Sequence, residues 1–267
     1  MPEHVSRESE TFGHTETDSL VALLDRVENL PEAAALRARS YDLLELRPGA
    51  LAADVGCGAG RAVAEMAERG AKAVGVDLSE DMIDVSRRRW PRLEFRVASA
   101  NELPFADGEI GGYRADKVLH DLDDPATALG EAHRVLKPGG RIVLLGQDWD
   151  TLVIDSDTPA VTRAVVHARA DSVPSPRAAR QYGNLLRDAG FTEINIEAYT
   201  GVFTDDTMLP ALSGITDAAC AAGAISRDQA DHWVAEQTER ARDGRMFVAI
   251  PLFVASAQRR PGIAVTG

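Results

Sequence analysis

The 267-residue chain has few cysteines and no long apolar run. Cys57 and Cys220 are too few for a disulfide framework, and we expect both to be small buried residues rather than a bonded pair. No apolar run approaches the roughly 20 residues that span a bilayer. Residues 1–19 lack the basic start and apolar centre of a signal peptide, so we interpret them as a flexible tail. We therefore expect a cytoplasmic protein without membrane attachment.

Lysine is also scarce in this chain, and acidic residues outnumber basic ones. The formal net charge is -13, and Lys72, Lys117 and Lys137 are the only lysines. Proteins bind nucleic acids largely through basic patches that contact phosphates, so we expect no nucleic-acid partner. The hydrophobic fraction of 45% fits a globular protein with an ample core, in one large domain or two small ones.

The most informative segment is a glycine-rich turn between a predicted strand and a predicted helix. Residues 51–53 are apolar, Asp54 follows, and Gly56, Gly58 and Gly60 lead into the helical pattern at 61–67. Open α/β sheets hold nucleotide-like ligands at such turns, where a Cβ would block the close approach of the ligand. A second strand at 71–76 ends in Asp77, an acid placed to accept hydrogen bonds from both hydroxyls of a ribose.

Predicted strands and helices alternate along the rest of the chain, which is typical of an α/β fold. Ser79 is the predicted N-cap of one helix, and Ser226 with Gln229 forms a capping-box pattern at another. The segment 149–176 has mixed character. Further strands are predicted at 93–97, 110–114, 141–146, 194–203 and 246–257, and helices at 20–27, 32–46, 79–89, 126–136, 177–189 and, as two helices, 207–244.

Five segments in order resemble the motifs of the class I S-adenosylmethionine-dependent methyltransferases: 54–60, 77–82, 98–105, 118–122 and 134–141. The pattern is similar to that of the small-molecule enzymes which methylate ubiquinone and menaquinone precursors at carbon. This resemblance implies a Rossmann-like fold with a seven-stranded, mostly parallel sheet, N-terminal helices, and a helical insertion before an antiparallel last strand. It also implies S-adenosyl-L-methionine as cofactor and S-adenosyl-L-homocysteine as product.

The resemblance and the predicted elements together suggest how the chain is organised. A flexible tail is followed by a helical cap, the cofactor-binding core with a lid, a helical insertion and a last strand of the core. These parts are 1–19 for the tail, 20–47 for the cap, 48–204 for the core with its lid near 149–176, 205–245 for the insertion and 246–260 for the last strand.

The resemblance also implies which residues bind the cofactor. Asp54 would lie near its amino-acid end, and Asp77 would bind the ribose. Leu78 and Met82 would flank the adenine, with a place in the core as the alternative for Met82. Independently of the resemblance, we expect Lys117 or Arg39 to contact the carboxylate of the cofactor, with a plain surface charge as the alternative for each. The complete predicted set is Asp54, Gly56, Cys57, Gly58, Gly60, Asp77, Leu78, Met82, Ser99, Ala100, Lys117 and Arg39.

Ser99 departs from the related pattern, which usually has an acid at this position. A serine hydroxyl can still accept a hydrogen bond from the adenine amino group, as a weaker partner than a carboxylate. Ala100 would supply a backbone amide. Cys57 would contribute its backbone, with its side chain acting as a small filler.

His120 and Asp121 are the candidate catalytic residues. They follow the fourth strand, where the family's chain passes the transferable methyl group. A neutral imidazole can take a proton from a hydroxyl as it is methylated, whereas the alternative is a histidine that is simply packed under a helix cap. Asp121 would orient His120, act as the base itself, or cap the turn.

Two further groups of residues have weaker signals. The acids at 148, 150, 155 and 157 match no metal-ligand spacing, so we expect no metal and interpret them as solvated loop residues. An apolar substrate pocket is expected to include some of five side chains. These are Trp149, His167, Tyr182, Phe203 and Met208.

We compare three functions with these patterns. The leading one is methyl transfer to O, N or C of a small, largely apolar or aromatic metabolite, as in natural-product or quinone-type biosynthesis. A nicotinamide-dependent oxidoreductase would lack the acid before the glycines and the later motifs. A non-catalytic methyltransferase-like module that binds the cofactor or a partner is the alternative from a different class. The sequence leaves open whether the chain forms a homo-oligomer.

Overall fold

A computed structural model of the chain describes residues 21–22 and 24–261. The predicted tail at 1–19 lies outside these residues. The described residues divide into two compact units, of which the first comprises those up to 115 together with 130–143 and 258–261, and the second comprises 116–129 and 144–257. Each unit has its own strands, helices and core.

The first unit is built on strands in the order β3-β2-β1-β4-β5. Strand β1 pairs in parallel with β2 on one side and β4 on the other, and β2 pairs in parallel with β3. Strand β1 is buried except at its first residue, as expected for a central strand with both faces covered. The strands are β1 (Leu51–Val55), β2 (Lys72–Asp77), β3 (Glu94–Val97), β4 (Ile110–Asp116) and β5 (Leu136–Gln147), of which β5 ends in the second unit.

The helices of the first unit bury short apolar faces. Ala62, Val63, Ala64 and Met66 are the buried apolar residues on one of them. Ser79 caps another by accepting a hydrogen bond from Met82 N at 3.3 Å, as predicted. The helices are α1 (residues 21–22 and 24–28), α2 (Pro31–Leu44), α3 (Arg61–Glu68), α4 (Glu80–Arg89) and the end of α5 (Pro125–Val135).

In the second unit, the strand order is β5-β8-β6, with β7 also paired to β8. The remaining strands are β6 (Val153–Ile154), β7 (Phe191–Phe203) and β8 (Val248–Arg259). The helices are α6 (Pro159–Asp171), α7 (Ala178–Asp188), α8 (Leu209–Ala221) and α9 (Arg227–Arg242), and short 3-10 turns lie at Leu119–Asp121, Trp149–Thr151 and Asp206–Met208.

Helices α6, α8 and α9 pack together around a buried tryptophan. The Trp233 side chain is fully buried, and its indole Nε1 donates to Thr162 Oγ1 at 3.0 Å. The predicted capping box is present at the start of α9, where Ser226 N donates to Gln229 Oε1 at 2.8 Å and Gln229 N donates to Ser226 Oγ at 3.2 Å. The segment 149–176, whose pattern was mixed, thus contains helix α6, and this helix packs against the insertion.

The predicted α/β fold with a mostly parallel sheet is confirmed, with eight strands in the described residues instead of seven. The additional strand, β6, has only two residues and is defined by its antiparallel pairing with β8. Strand β5 begins at Leu136, before its predicted start at residue 141. In this added stretch, Gln258 Nε2 donates to Gly139 O at 3.3 Å. Among the residues that the structure describes, no helix combines the length and apolarity that crossing a membrane requires.

Candidate active site

The glycine-rich loop is held in place by β2 and α4. The amides of Gly56 and Cys57 both donate to Val76 O, at 2.7 and 3.0 Å. Ser86 Oγ donates to Gly58 O at 2.6 Å, and the indole Nε1 of Trp90 donates to Ala59 O. The conformation of this loop is therefore set by the next strand and helix as well as by its own glycines.

Two of the glycines have different roles. Gly60 has a φ of 81°, and a Cβ there would lie 2.8 Å from the Phe95 ring and 3.0 Å from Trp90. Gly58 has a φ of 51°, and a Cβ on it would meet nothing within 4 Å. Gly60 is required by close packing and by its left-handed backbone, whereas Gly58 faces open space that a ligand can occupy.

Asp77 joins the end of β2 to the glycine loop. Its Oδ2 accepts from Gly58 N and its Oδ1 accepts from Ser79 N, each at 2.9 Å. A carboxylate has about four lone-pair sites, so two remain available for hydroxyl donors. Leu78, with 72% of its surface exposed, presents an apolar side chain beside them, and Met82 is half-buried at the start of α4. This combination fits the ribose and adenine of an adenosyl group.

Asp54 is buried in an ion pair that the sequence analysis missed. Its Oδ1 accepts from the guanidinium Nη1 of Arg114 on β4 at 2.8 Å, and both residues are 2% exposed. Arg114 Nε also donates to Ser40 Oγ on α2, at 2.9 Å. A charged residue inside the otherwise apolar pattern of 110–115 was the available signal, because such a residue is almost never fully buried without a partner.

The same polar cluster continues along α2 to α3. Tyr41 Oη donates to Glu65 Oε2 at 2.9 Å, and the Arg37 guanidinium donates to the same carboxylate at 3.1 and 3.3 Å. Burial opposes ionisation of Glu65, but the hydrogen bonds from Arg37 and Tyr41 outweigh it and lower the pKa of the carboxyl. The cap helix α2 is therefore tied to the helix that follows the glycine loop.

The Cys57 thiol is expected to be unreactive in the folded protein. It is 8% exposed, and burial together with the charge of Asp54 raises the pKa of the thiol. Titration with a disulfide reagent at pH 8 will label Cys220, which is only half-buried, at least about tenfold faster than Cys57. The variant Cys57→Ser provides the control. Equal labelling rates for the two cysteines would contradict this prediction.

The remaining predicted residues of the first unit have modest contacts. Ser99 Oγ accepts from Asn101 N at 3.1 Å, so this hydroxyl stabilises its own turn and keeps its proton available for donation. Ala100 is buried. Arg39 is exposed on α2. The roles of Ser99, Ala100 and Arg39 toward the cofactor stay predictions.

In the second unit, His120 lies in a 3-10 turn held by Ser175, whose backbone N donates to His120 O at 2.9 Å. Its side chain is buried, and its ring packs edge-on against Trp149 with 5.5 Å between centroids. Asp121 Oδ1 lies 3.4 Å from His120 Nε2 and is largely exposed. Burial lowers the pKa of His120 below its usual 6.5, although Asp121 opposes this shift. The imidazole is therefore neutral at pH 7.

Lys117 precedes this turn in an unusual backbone conformation. Its φ is 60°, which is uncommon for a residue with a Cβ, and its N donates to Leu145 O at 2.8 Å. Its Nζ lies 2.5 Å from Asp116 Oδ1, so its charge is already paired. Contact with the carboxylate of the cofactor stays a prediction for Lys117.

The interpretation of the acidic run as solvated is wrong for Asp148. This carboxylate is 1% exposed and accepts from Arg180 Nη2 at 2.6 Å. Asp150 pairs with Arg177. Burying Asp148 is tolerated because the guanidinium compensates its charge. Over 21–22 and 24–261, no cluster of His, Cys, Asp or Glu has the arrangement of a metal site.

The structure separates the five predicted pocket residues. Tyr182 is 1% exposed and packs against Gly146, so it belongs to the core. Phe203 and Met208 pack on the apolar cluster around Trp233. His167 lines a cavity of about 250 Å³ whose apolar lining includes Leu152, Val153, Ile154, Pro159 and Val166. The ring of Trp149 contacts that of His120.

Comparisons with known proteins identify the family. Residues 53–144 match the model of a methyltransferase domain. An uncharacterized 37.1 kDa protein in transposon TN4556 of Streptomyces fradiae is 34% identical over 251 residues, which are 90% of this chain and 72% of that one. A demethylmenaquinone methyltransferase of Chlorobaculum parvum is 40% identical over 108 residues, which are 40% of this chain and 44% of that enzyme.

The fold agrees with these matches. The crystal structure of geranyl diphosphate C-methyltransferase from Streptomyces coelicolor, in complex with S-adenosyl-L-homocysteine, superposes with a TM-score of 0.53 at 19% identity, covering 85% of this chain and 76% of that one. The chain belongs to the class I S-adenosylmethionine-dependent methyltransferases. The predicted resemblance is thereby confirmed, and the family's cofactor is S-adenosyl-L-methionine. The chain spans less than half of the length of the menaquinone-type relative, so the activity of that relative is not assigned to this chain.

Proposed function

We propose that this chain transfers the methyl group of S-adenosyl-L-methionine to O, N or C of a small, largely apolar or aromatic metabolite. The observation that carries the proposal is the hydrogen bond from Gly58 N to Asp77 Oδ2, because it brings the glycine loop and the ribose-type acid together. We favour a hydroxyl as the acceptor because a buried, neutral His120 is suited to remove a proton. Natural-product or quinone-type biosynthesis supplies acceptors of this kind.

In this proposal each residue has a defined task. Asp77, Leu78 and the glycine loop hold the cofactor, whose sulfonium supplies an already activated methyl group. His120 takes the proton that an acceptor hydroxyl loses. Asp121, 3.4 Å from Nε2, stabilises the imidazolium that results. The family cofactor is the only co-reactant required.

A direct test is incubation with methyl-labelled S-adenosyl-L-methionine and a metabolite extract of the source cells, followed by mass spectrometry. We expect labelled low-molecular-mass products together with S-adenosyl-L-homocysteine. Tight cofactor binding without any labelled product would instead favour the non-catalytic module. Transfer of label to RNA would contradict the expectation that nucleic acid is not a partner. Cytoplasmic location stays a prediction from the sequence.

The variant His120→Ala should lower turnover by about 10²- to 10⁴-fold, the usual contribution of a general base. In the wild type, turnover should fall as the pH drops through a pKa below 6.5, because protonated His120 cannot accept a proton. The measurement is the rate of label transfer from pH 5 to 9 with an acceptor found in the extract. His232→Ala, on the exposed face of α9, is the matched control and should retain full turnover.

Cofactor affinity of His120→Ala, measured by calorimetry, should stay within about twofold of wild type, because His120 is not among the cofactor-holding residues. Unchanged turnover and an unchanged acidic limb in this variant would remove His120 from the mechanism.

A further inference from the structure

Three neighbouring side chains of the second unit form a cluster rich in hydrogen-bond donors. The Arg169 guanidinium on α6 stacks on the Trp149 ring, with its Cζ 4.1 Å from the ring centroid. The His120 ring meets the same indole at 70° between ring planes. The Trp149 ring therefore contacts both the candidate base, His120, and the guanidinium of Arg169.

Arg169 has no carboxylate within ion-pair distance among the residues that the structure describes. Its Nη1 donates to Ser172 Oγ at 3.3 Å. Burial lowers the pKa of Arg169, and Asp121 compensates only part of this effect. The acids on either side of Trp149 are engaged elsewhere, since Asp148 pairs with Arg180 and Asp150 with Arg177. The guanidinium thus keeps hydrogen-bonding capacity for an external anion.

The indole of Trp149 adds a second donor. Its Nε1 is buried and has no hydrogen-bond partner in the described structure. Leaving a buried donor unpaired costs free energy, about 1–3 kcal/mol in general, so such groups usually have a partner in the functional state. The tryptophan N–H and the arginine fork are both donors only, and a planar oxyanion is the ligand that satisfies both.

We propose that Arg169 and the indole N–H of Trp149 bind the carboxylate of an aromatic acid, which is the methyl acceptor or a part of it. This inference rests on the proposed function, because it specifies the substrate class of the same enzyme. A guanidinium matches a planar carboxylate through two parallel hydrogen bonds. With the acid bound there, the neutral His120 beside Trp149 faces a substrate whose charge is already compensated.

The test compares 3-hydroxybenzoate with its neutral amide, 3-hydroxybenzamide, by calorimetry on the full chain loaded with S-adenosyl-L-homocysteine. We expect the acid to bind at least about tenfold tighter than the amide, as charge-assisted hydrogen bonds predict. Arg169→Met should reduce this preference to about twofold or less, and Arg169→Lys should retain part of it. Trp149→Phe keeps a ring in place of the indole and should weaken binding of the acid by about two- to fivefold.

The matched control is Arg163→Met, an exposed arginine on the same helix, which should leave the preference for the acid unchanged. Binding of S-adenosyl-L-homocysteine is measured first for every variant, so that loss of folding is recognised. Two results with a wild-type protein that binds S-adenosyl-L-homocysteine would overturn this inference but not the proposed function. One is equal affinity for the acid and the amide, and the other is no binding of the acid at about 20 mM. Failure of the wild type to bind S-adenosyl-L-homocysteine would instead count against the proposed function. A preference that survives Arg169→Met also overturns the inference.

Discussion

Asp77→Ala is expected to weaken binding of S-adenosyl-L-methionine by at least about 100-fold, the loss of two or more charge-assisted hydrogen bonds. The carboxylate accepts from Gly58 N and Ser79 N in the structure, and the proposed ribose contacts would use its remaining lone pairs. The variant therefore removes both the ribose acceptor and the link between the glycine loop and β2. Calorimetry with S-adenosyl-L-homocysteine measures the effect.

Two companion variants separate these contributions. Asp77→Asn keeps one acceptor oxygen and loses the charge, so its affinity should lie between those of wild type and Asp77→Ala. Asp81→Ala, an exposed acid in the first turn of α4, is the matched control and should bind the ligand as wild type does. Wild-type affinity in Asp77→Ala would show that this acid does not hold the cofactor.

Arg114→Met is expected to destabilise the protein by about 3–5 kcal/mol, the usual effect of removing one partner of a buried ion pair. Asp54, 2% exposed, would then be left as an uncompensated charge below the glycine loop. Ser40 Oγ would also lose its guanidinium donor. For a chain of this size, the melting midpoint should fall by on the order of 10 °C, measured by circular dichroism.

The double variant Asp54→Leu/Arg114→Met tests the cause. Replacing both partners removes the unpaired charge, so stability should recover most of the loss. Arg227→Met, which breaks exposed pairs with Asp217 and Asp231, should shift the midpoint by no more than about 2 °C. If Arg114→Met melts at the wild-type temperature, the ion pair is not a stabilising element and its burial needs another explanation.

Local patterns predicted much of the backbone structure around the candidate cofactor site. The glycine loop, the end of β2 at Asp77 and the caps at Ser79 and Ser226 all depend on residues close in sequence or on a strand–turn–helix unit. In these cases, the local sequence pattern itself specifies the backbone geometry. The spacing of Asp77 from the loop also follows from the length of one helix and one strand.

Long-range partners were not predictable in this way. Arg114 lies 60 residues after Asp54, and their contact depends on β4 lying beside β1 in the sheet. The burial of Asp148 likewise depends on Arg180, 32 residues later. Sequence patterns identified both acids but assigned neither partner, because an acidic residue has the same local pattern whether it is paired or solvated.

The sequence alone determined the class of the protein and the glycine loop proposed to hold its cofactor, since both follow from motifs whose chemistry is local. The tertiary structure alone decided which charges are buried, that α6 packs onto the insertion, and that Arg169 and His120 share the Trp149 ring. The physical reason is that a short motif determines backbone conformation over a few residues. Burial and pairing instead depend on which distant elements pack together.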